Sequence, residues 1–315
     1  MRVVATFIAL LAMLAPAGPS PRYAHQMMTF DGQRVLMFGG AGTDGSYGDL
    51  WAFDSKGWRE LPQSGPGERN SGVFVYDSIR KRAVLYGGRV HDTLVTATWE
   101  WDGAAWHQMA TEGPTPSVHG AAAFDRVRGV VVLFLPVLSR APLPRPMPSQ
   151  TWTWDGRHWT KVSAPVPDDV MPMGMAAEPA TGTVYLLAAR LGIRGSDPMT
   201  TELWEWTGNG WRKDPSTPPI VGQALQANIA PAGPRGLLLY HAGDPAENRG
   251  TWRWDRTSWT HIGTAGPSPR TVHVMAYDSN RDRVVLFGGG VERQRLGDTW
   301  EWDGKVWTMA EITRP

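Results

Sequence analysis

The amino-acid sequence predicts an all-β fold, a closed propeller of six blades with four antiparallel strands in each. Two observations lead to this prediction. The first is a pattern of Trp-x-Trp followed by a third Trp, which occurs six times at intervals of about fifty residues, a period typical of propellers and other repeat folds. The second is the composition. The chain has 36 Gly and 26 Pro, and only 19% of its residues are charged, which suits short strands joined by many turns.

The aromatic frame accounts for all 17 tryptophans of the chain. Five repeats hold a complete triplet: Trp99/Trp101/Trp106, Trp152/Trp154/Trp159, Trp204/Trp206/Trp211, Trp252/Trp254/Trp259 and Trp300/Trp302/Trp307. The first repeat is a variant, Trp51/Phe53/Trp58. Because an aromatic side chain buries roughly 150–250 Å², we interpret the frame as packing between blades. A tryptophan-lined platform for sugars is the alternative interpretation.

The last repeat shows the four strands of a blade most clearly. An alternating strand follows Pro269-Arg270, and an apolar strand runs from Arg283 to a pair of glycines. Asp303-Gly304 then separates the third and fourth strands, and Asp-Gly between apolar runs is a strong hairpin signal. The expected blades are approximately 19–63, 64–111, 112–164, 165–216, 217–264 and 265–311. Each blade is contiguous, so we expect the ring to close by side-chain packing between blades one and six rather than by a shared sheet.

The N-terminus predicts export. Residues 1–17 combine Arg2, an apolar run and Ala15-Pro16-Ala17, as in a signal peptide cleaved before Gly18. We therefore expect a periplasmic or secreted protein, with residues 18–315 as the mature propeller and no membrane span after cleavage. An uncleaved anchor is the alternative. The mature protein is expected to be a monomer.

Composition excludes several classes of function. The formal net charge is +1, so no large basic face is predicted and nucleic acid is not an expected partner. Cysteine is absent, which excludes disulfides, thiolate catalysis and cysteine-ligated metal or haem. No cofactor and no metal site are predicted.

Apolar strands that end in Gly-Gly, followed by two spaced aromatic residues, resemble the kelch repeat. The double glycines are Gly39-Gly40, Gly87-Gly88 and Gly288-Gly289, and the Pro-Arg that begins the innermost kelch strand is matched by Pro21-Arg22 and Pro269-Arg270, with Arg69 close to it. The middle blades depart from the pattern, with Leu135-Pro136, Ala188-Ala189 and His241-Ala242 in the glycine positions. The resemblance implies a propeller like the central domain of galactose oxidase. The copper site of that enzyme needs a cysteine, so an oxidase of that kind is excluded.

The resemblance also implies that the strand starting at Pro-Arg lines a central channel. Longer loops gather on one face, here called the loop-rich face: 41–48, 89–97, 136–150, 190–200, 243–250 and 290–297. The candidate binding residues at the channel mouth on this face are Arg22, Arg69 and Arg270, with His25, His119 and His273. Arginines could hold a carboxylate or sulfate bidentately. Alternatively, each arginine bonds carbonyls and acidic groups of neighbouring blades.

The proline-rich loop 136–149 is the longest of these loops and could form a lip over the channel mouth or be an ordinary surface excursion. The glutamates between paired tryptophans (Glu100, Glu205 and Glu301) are interpreted as structural hydrogen-bonding groups.

No catalytic residue is predicted. The sequence favours a binding module that takes a protein or a glycan through the loop-rich face, since the repeats account for nearly every notable residue. The alternative is a carbohydrate-modifying enzyme resembling the sialic-acid mutarotases, for which channel-mouth arginines would suit an acidic sugar. This alternative depends on analogy of fold.

Overall fold

The computed structural model describes residues 18–62, 64–136, 149–190, 199–218, 220, 226–243 and 249–311. In these ranges the chain forms six four-stranded antiparallel sheets, so the prediction of an all-β, six-bladed propeller is confirmed. The predicted signal peptide and most of the proline-rich loop lie outside the described residues.

The first three blades are built from consecutive strands. Blade 1 contains β1 (Gln26–Phe30), β2 (Arg34–Phe38), β3 (Leu50–Asp54) and β4 (Gly57–Leu61). Blade 2 contains β5 (Val73–Asp77), β6 (Arg82–Tyr86), β9 (Thr98–Trp101) and β10 (Trp106–Ala110), with a small hairpin of β7 (Arg89–Val90) and β8 (Thr93–Leu94) on its loop. Blade 3 contains β11 (Ala121–Asp125), β12 (Val130–Pro136), β13 (Ser149–Trp154) and β14 (Trp159–Lys161).

The last three blades follow the same order. Blade 4 contains β15 (Val170–Ala177), β16 (Val184–Arg190), β17 (Thr200–Trp206) and β18 (Trp211–Lys213). Blade 5 contains β19 (Ala227–Pro231), β20 (Leu237–His241), β21 (Gly250–Trp254) and β22 (Trp259–Gly263). Blade 6 contains β23 (Val274–Asp278), β24 (Arg283–Phe287), β27 (Thr299–Trp302) and β28 (Trp307–Met309), with the hairpin β25 (Gly290–Val291) and β26 (Gln294–Arg295) on its loop.

The Asp-Gly hairpins form for a local reason. In the hairpin after β9, Asp102 Oδ1 accepts the backbone N–H groups of Ala104 and Ala105 at 2.9 and 2.8 Å, and Gly103 adopts a positive φ of 105°. The equivalent aspartates, Asp155, Asp255 and Asp303, make the same pair of bonds. This side-chain cap replaces the backbone partners that a tight turn lacks.

The third tryptophan of a blade ties it to the preceding blade. Its indole Nε1–H donates to the hydroxyl of the threonine that directly precedes the first tryptophan of the neighbour's frame: Trp58 to Thr299, Trp159 to Thr98, Trp211 to Thr151 and Trp307 to Thr251, at 2.8–2.9 Å. Leu50 occupies the threonine position in blade 1, and the Trp106 indole of blade 2 accordingly has no partner among the described residues. In blade 4 the position is Leu203, and Trp259 bonds the Ser216 carbonyl instead, at 3.2 Å. The tryptophans thus join blades, as interpreted from the sequence.

The ring closes without a shared sheet. Blades 1 and 6 pack through a buried cluster that includes Met27, Trp58, Val285 and Phe287. Backbone bonds at the double glycine add to this packing, because Gly289 N–H donates to the Arg22 carbonyl at 2.9 Å. Strand β1 pairs only with β2 in its sheet, and β28 only with β27. The expected mode of closure is confirmed.

Candidate functional site

A cavity of about 380 Å³ lies on the propeller axis. It is bounded by the first residues of the innermost strands of all six blades, and by Arg89 from the loop after β6. Because these strand starts and that loop belong to the loop-rich face, the cavity opens there. The candidate binding residues were predicted from the sequence at this channel mouth.

All three predicted histidines contribute to the cavity wall. His25 and His273 occupy equivalent positions, one residue before β1 and β23, and both are buried. His25 meets the ring of Phe287 edge-on at 5.4 Å, and His273 meets Tyr240 edge-on at 5.7 Å. His119 begins blade 3 one position earlier and is only half-buried. Two of the three rings therefore lie between blades, and His119 is the more accessible one.

Burial keeps the histidines neutral. Burial, together with the nearby charge of Arg22, lowers the pKa of His25 to about 3, against an opposing contribution from a hydrogen bond with the backbone of Phe287. Burial likewise lowers the pKa of His273 to about 3, with Arg270 adding to the effect. The pKa of His119 is also lowered by burial. A neutral imidazole can both donate and accept a hydrogen bond.

The three predicted arginines lie behind the cavity wall. Arg22 is fully buried, donates to the Gly39 carbonyl at 2.9 Å, and forms a bidentate pair with Asp49 at 2.6 and 2.8 Å. Arg270 repeats the arrangement in blade 6 with Gly288 and Asp298, the bidentate pair measuring 2.8 Å in both arms. These two arginines join the two ends of the long loop within their own blade.

Arg69 differs from the other two. It is buried and donates to the Gly87 carbonyl at 3.1 Å and to the carbonyl of Pro66. It has no carboxylate partner among the described residues, and its Nε is unpaired there. Burial lowers the pKa of Arg69 to about 10. The sequence thus grouped three arginines that the structure separates into two paired ones and one unpaired one. Their binding of a ligand stays a prediction.

The cavity also holds polar groups that the sequence reasoning missed. Gln26, Asn70 and Asn228 bring amides to the wall, and Ser71 brings a hydroxyl. Asn70 is oriented by a bond from its amide to Ser46 Oγ at 2.8 Å and accepts the Ser71 hydroxyl at 2.9 Å. Single amides on a strand give no repeat signal, so only their position at the start of an inner strand could have indicated them.

The rim of the cavity has a strained backbone. Ala24, Ser71 and Val272 take equivalent places before β1, β5 and β23, and all three have a positive φ of 52–59°. A left-handed conformation is costly for a β-branched residue such as Val272. Ser71 N–H donates to the Ala24 carbonyl at 2.9 Å, which joins two neighbouring blades at the rim. Such positions persist where the surroundings hold them, often at binding sites.

Neither metal nor membrane is indicated by the part of the chain that the structure describes. That part contains no group of three or more His, Asp or Glu side chains placed to hold a metal ion. It also contains no helix long and apolar enough to cross a membrane.

The glutamates between paired tryptophans bond to arginines and indoles of the scaffold. Glu100 accepts Arg80 at 2.7 and 2.9 Å and the Trp154 indole of blade 3 at 2.9 Å. Glu301 pairs with Arg281 and Glu205 with Arg212, each at 2.5 Å. The glutamates between paired tryptophans are therefore engaged within the scaffold, away from the cavity lining.

Comparison with known proteins supports the fold and gives no information on activity. The chain matches no protein-family model, and no curated protein sequence matches it. Among solved structures, the one described as the structure of YjhT aligns with 95% of this chain and 100% of its own, with a TM-score of 0.67 and 14% sequence identity. At that identity the similarity shows a shared propeller fold alone.

Proposed function

We propose that the protein is a non-catalytic binding module that holds an uncharged part of a glycan in the channel mouth on its loop-rich face. The observation that supports this most is the chemistry of the cavity wall. Most of its polar groups are uncharged: the amides of Gln26, Asn70 and Asn228, the hydroxyls of Ser71 and Tyr23, and neutral imidazoles. Arg89 is the charged residue in the described lining, and it pairs with Asp92 at 2.8 Å. Amides and hydroxyls both donate and accept hydrogen bonds, as the hydroxyls of a sugar do.

The size and the apolar part of the wall suit a small ligand. A volume of about 380 Å³ is at the lower end of the range of ligand sites, roughly 300–1,000 Å³. Four methionines also line the wall, and their flexible side chains can adapt to the apolar face of a ring: Met27, Met173, Met175 and Met275. The resulting surface combines adaptable apolar contact with several fixed polar groups.

No specific observation favours the acidic-sugar enzyme. The residues that line the described cavity include no Asp, Glu or Lys. Arg22 and Arg270, which would hold an acidic sugar, are bound to Asp49 and Asp298. General acid–base catalysis needs a titratable group within hydrogen-bond reach of the substrate, and the described cavity offers imidazoles and the Tyr23 phenol for that role.

The kelch type of the propeller, its monomeric state and its export belong to the same proposal. The arginine–glycine bonds of blades 1, 2 and 6 support the kelch resemblance. Export predicts that the protein recovered from the periplasm or the medium begins at Gly18, which intact-mass measurement tests. A recovered protein that retains Met1 and the apolar run would indicate an anchor instead.

A glycan array tests the binding function directly. The wild type should retain a small set of neutral glycans. The variants Gln26→Ala and Asn228→Ala should each weaken binding by up to roughly tenfold, the effect of one lost hydrogen bond. Gln33→Ala, on the opposite face beside Asp31 and Lys81, is the matched control and should bind like the wild type. Equal binding by all four proteins, or retention of no glycan by any, would contradict the proposal and favour a protein ligand.

A further inference from the structure

The residue two positions before the first tryptophan of each frame makes a contact that recurs in several blades. In four blades this position holds an acceptor for that tryptophan's indole: Trp51 donates to Asp49, Trp152 to Gln150, Trp204 to Glu202 and Trp300 to Asp298, at 2.6–3.0 Å. In blades 2 and 5 the position is Ala97 and Gly250, and the indoles of Trp99 and Trp252 have no hydrogen-bond partner among the described residues.

Blades 1 and 6 show how two donors share one oxygen at this position. Asp49 Oδ2 accepts both Trp51 Nε1 at 2.7 Å and Arg22 Nη2 at 2.8 Å. Asp298 Oδ2 accepts both Trp300 Nε1 at 2.6 Å and Arg270 Nη2 at 2.8 Å. The carboxylate is therefore the group that an arginine and an indole of one blade hold together.

Blade 2 has both donors without the carboxylate. Its backbone follows the same plan, because Gly87 N–H donates to the Ala97 carbonyl at 3.1 Å as Gly39 N–H does to that of Asp49 at 3.1 Å. Arg69 Nη1 reaches the Gly87 carbonyl as Arg22 Nη1 reaches that of Gly39. Trp99 Nε1 and the buried guanidinium of Arg69 are present, and Ala97 places a methyl group where the acid would be. Arg69 Nη2, which corresponds to the atom that bonds the carboxylate in blades 1 and 6, donates to the Pro66 carbonyl.

We infer that blade 2 binds the carboxylate of an external ligand between Arg69 and Trp99, at the place that the Asp49 and Asp298 side chains take in blades 1 and 6. The aspartates at the equivalent places keep 19% and 25% of their side-chain surface exposed. In blade 2 the Trp99 Nε1 and Arg69 Nε atoms are buried, so a ligand has to enter beside the half-buried Ala97. Charge-assisted bonds from an arginine are the strong ones for an oxyanion, and the buried charge of Arg69 has no counter-charge within the part of the chain that the structure describes. This site does not depend on the proposed binding of a neutral glycan in the channel.

Acetate is the probe that isolates the carboxylate. Indole N–H resonances of ¹⁵N-labelled protein are followed by NMR, with that of Trp99 assigned by its loss in Trp99→Phe. Acetate should move the Trp99 resonance saturably, and the neutral isostere acetamide should not. The Trp106 indole, also unpaired but enclosed by Phe38 and Phe74, serves as the internal control and should stay in place.

Three variants make the test specific. Arg69→Met should weaken acetate binding by at least roughly tenfold, the effect expected from losing a charged partner. Ala97→Asp should abolish the titration and place the Trp99 resonance near its acetate-bound position. Asp298→Ala should create the same arrangement in blade 6, so that the Trp300 resonance begins to respond to acetate. This last variant keeps the test open if Ala97→Asp does not fold.

The source of the carboxylate is decided by comparing acetate with glucuronate, using glucose as the uncharged control. Tighter binding of glucuronate than acetate would identify a sugar acid as the ligand, and equal binding a free small carboxylate. Both results support the site. A Trp99 resonance that ignores acetate, or one that responds equally in the wild type and in Arg69→Met, would overturn it.

Discussion

Blades 1 and 4 both pair an arginine with the acid two residues before the first tryptophan of the frame, but the arginine comes from different strands. In blade 1 the second strand ends at Phe38, and the buried Arg22 from the start of the inner strand reaches Asp49. In blade 4, where Ala188-Ala189 replaces the double glycine, β16 continues to Arg190 and pairs with the longer β17. Its own Arg190 then reaches Glu202, the residue equivalent to Asp49, at 2.6 Å.

The comparison shows what is constant and what varies. The acid two residues before the tryptophan and its bond to the indole recur, while the arginine comes from a different strand. The environment differs as well. The side chain of Arg22 is 1% exposed, whereas that of Arg190 is 37% exposed and its glutamate also binds Lys213. The same ion pair should therefore contribute very differently to stability in the two blades.

The largest expected effect is the loss of the buried arginine. Arg22→Met leaves Asp49 and the Gly39 carbonyl without their partner, and breaking a buried pair typically costs about 3–5 kcal/mol. Arg190→Met is the matched variant in blade 4 and should cost about 1 kcal/mol or less, because Arg190 is 37% exposed and Glu202 keeps its bonds from Lys213 and the Trp204 indole. Urea unfolding measures both free energies. Equal losses would show that burial does not distinguish the two blades.

Acid should destabilise blades 1 and 6 in particular. The pKa of His25 and of His273 is about 3 in the folded protein and 6.5 in an unfolded chain. The unfolded chain alone takes up protons between these values, so stability falls as the pH drops below 6.5, by up to about 1.4 kcal/mol per pH unit for each histidine. Blade 4 has Met173 at the position equivalent to His25 and His273, so this pH dependence does not arise there.

The double variant His25→Gln/His273→Gln tests this dependence. Its unfolding free energy should vary less than that of the wild type between pH 6.5 and 5, a range in which carboxylates remain ionised. His158→Gln, on an exposed turn, is the control and should keep the wild-type slope. An unchanged slope in the double variant would contradict the assignment of acid sensitivity to the buried pair.

The glycine positions should give a smaller but asymmetric effect. Gly40 has a φ of +105°, and an added Cβ would lie 2.7 Å from the Cβ of His25. Gly40→Ala should therefore cost about 1–3 kcal/mol. The reverse change in blade 4, Ala189→Gly, should cost about 0.5–1 kcal/mol, since a regular strand gains nothing from glycine. Calorimetric thermal unfolding measures both losses. A larger loss of stability for Ala189→Gly than for Gly40→Ala would contradict this explanation.

The smallest effect concerns the tryptophan bonds between blades. Thr151→Val keeps the side-chain shape but leaves the half-buried Trp211 indole without its partner, which costs about 1 kcal/mol, the net value of one hydrogen bond. The control is Thr153→Val on the same strand, for which a change within about 0.5 kcal/mol is expected. If both variants unfold at the same urea concentration, the threonine bonds do not hold the blades together.

The sequence predicted the fold well because the repeat is visible in it. Tryptophans at fixed spacing and Asp-Gly turns determine six blades, and the contiguous order of strands follows from where the frame begins and ends. The channel position of His25, His119 and His273 followed from the inner strand. The sequence analysis did not predict that Arg22 pairs with a carboxylate while Arg69 does not. That difference depends on whether an acid lies two residues before a tryptophan that is distant in the sequence. The Asp-x-Trp spacing of Asp49 and Asp298 is the signal that could have revealed it.

In blades 1, 4 and 6 the acid at this position joins an arginine and an indole, and blade 2 has the arginine and the indole but not the acid. The direct test is the unfolding free energy of Ala97→Asp beside that of Asp298→Ala in urea. The account predicts that Ala97→Asp stabilises the protein by about 1 kcal/mol through new bonds to Arg69 and Trp99, and that Asp298→Ala destabilises it by about 3 kcal/mol or more. Destabilisation by Ala97→Asp, together with a loss below about 1 kcal/mol for Asp298→Ala, would contradict it.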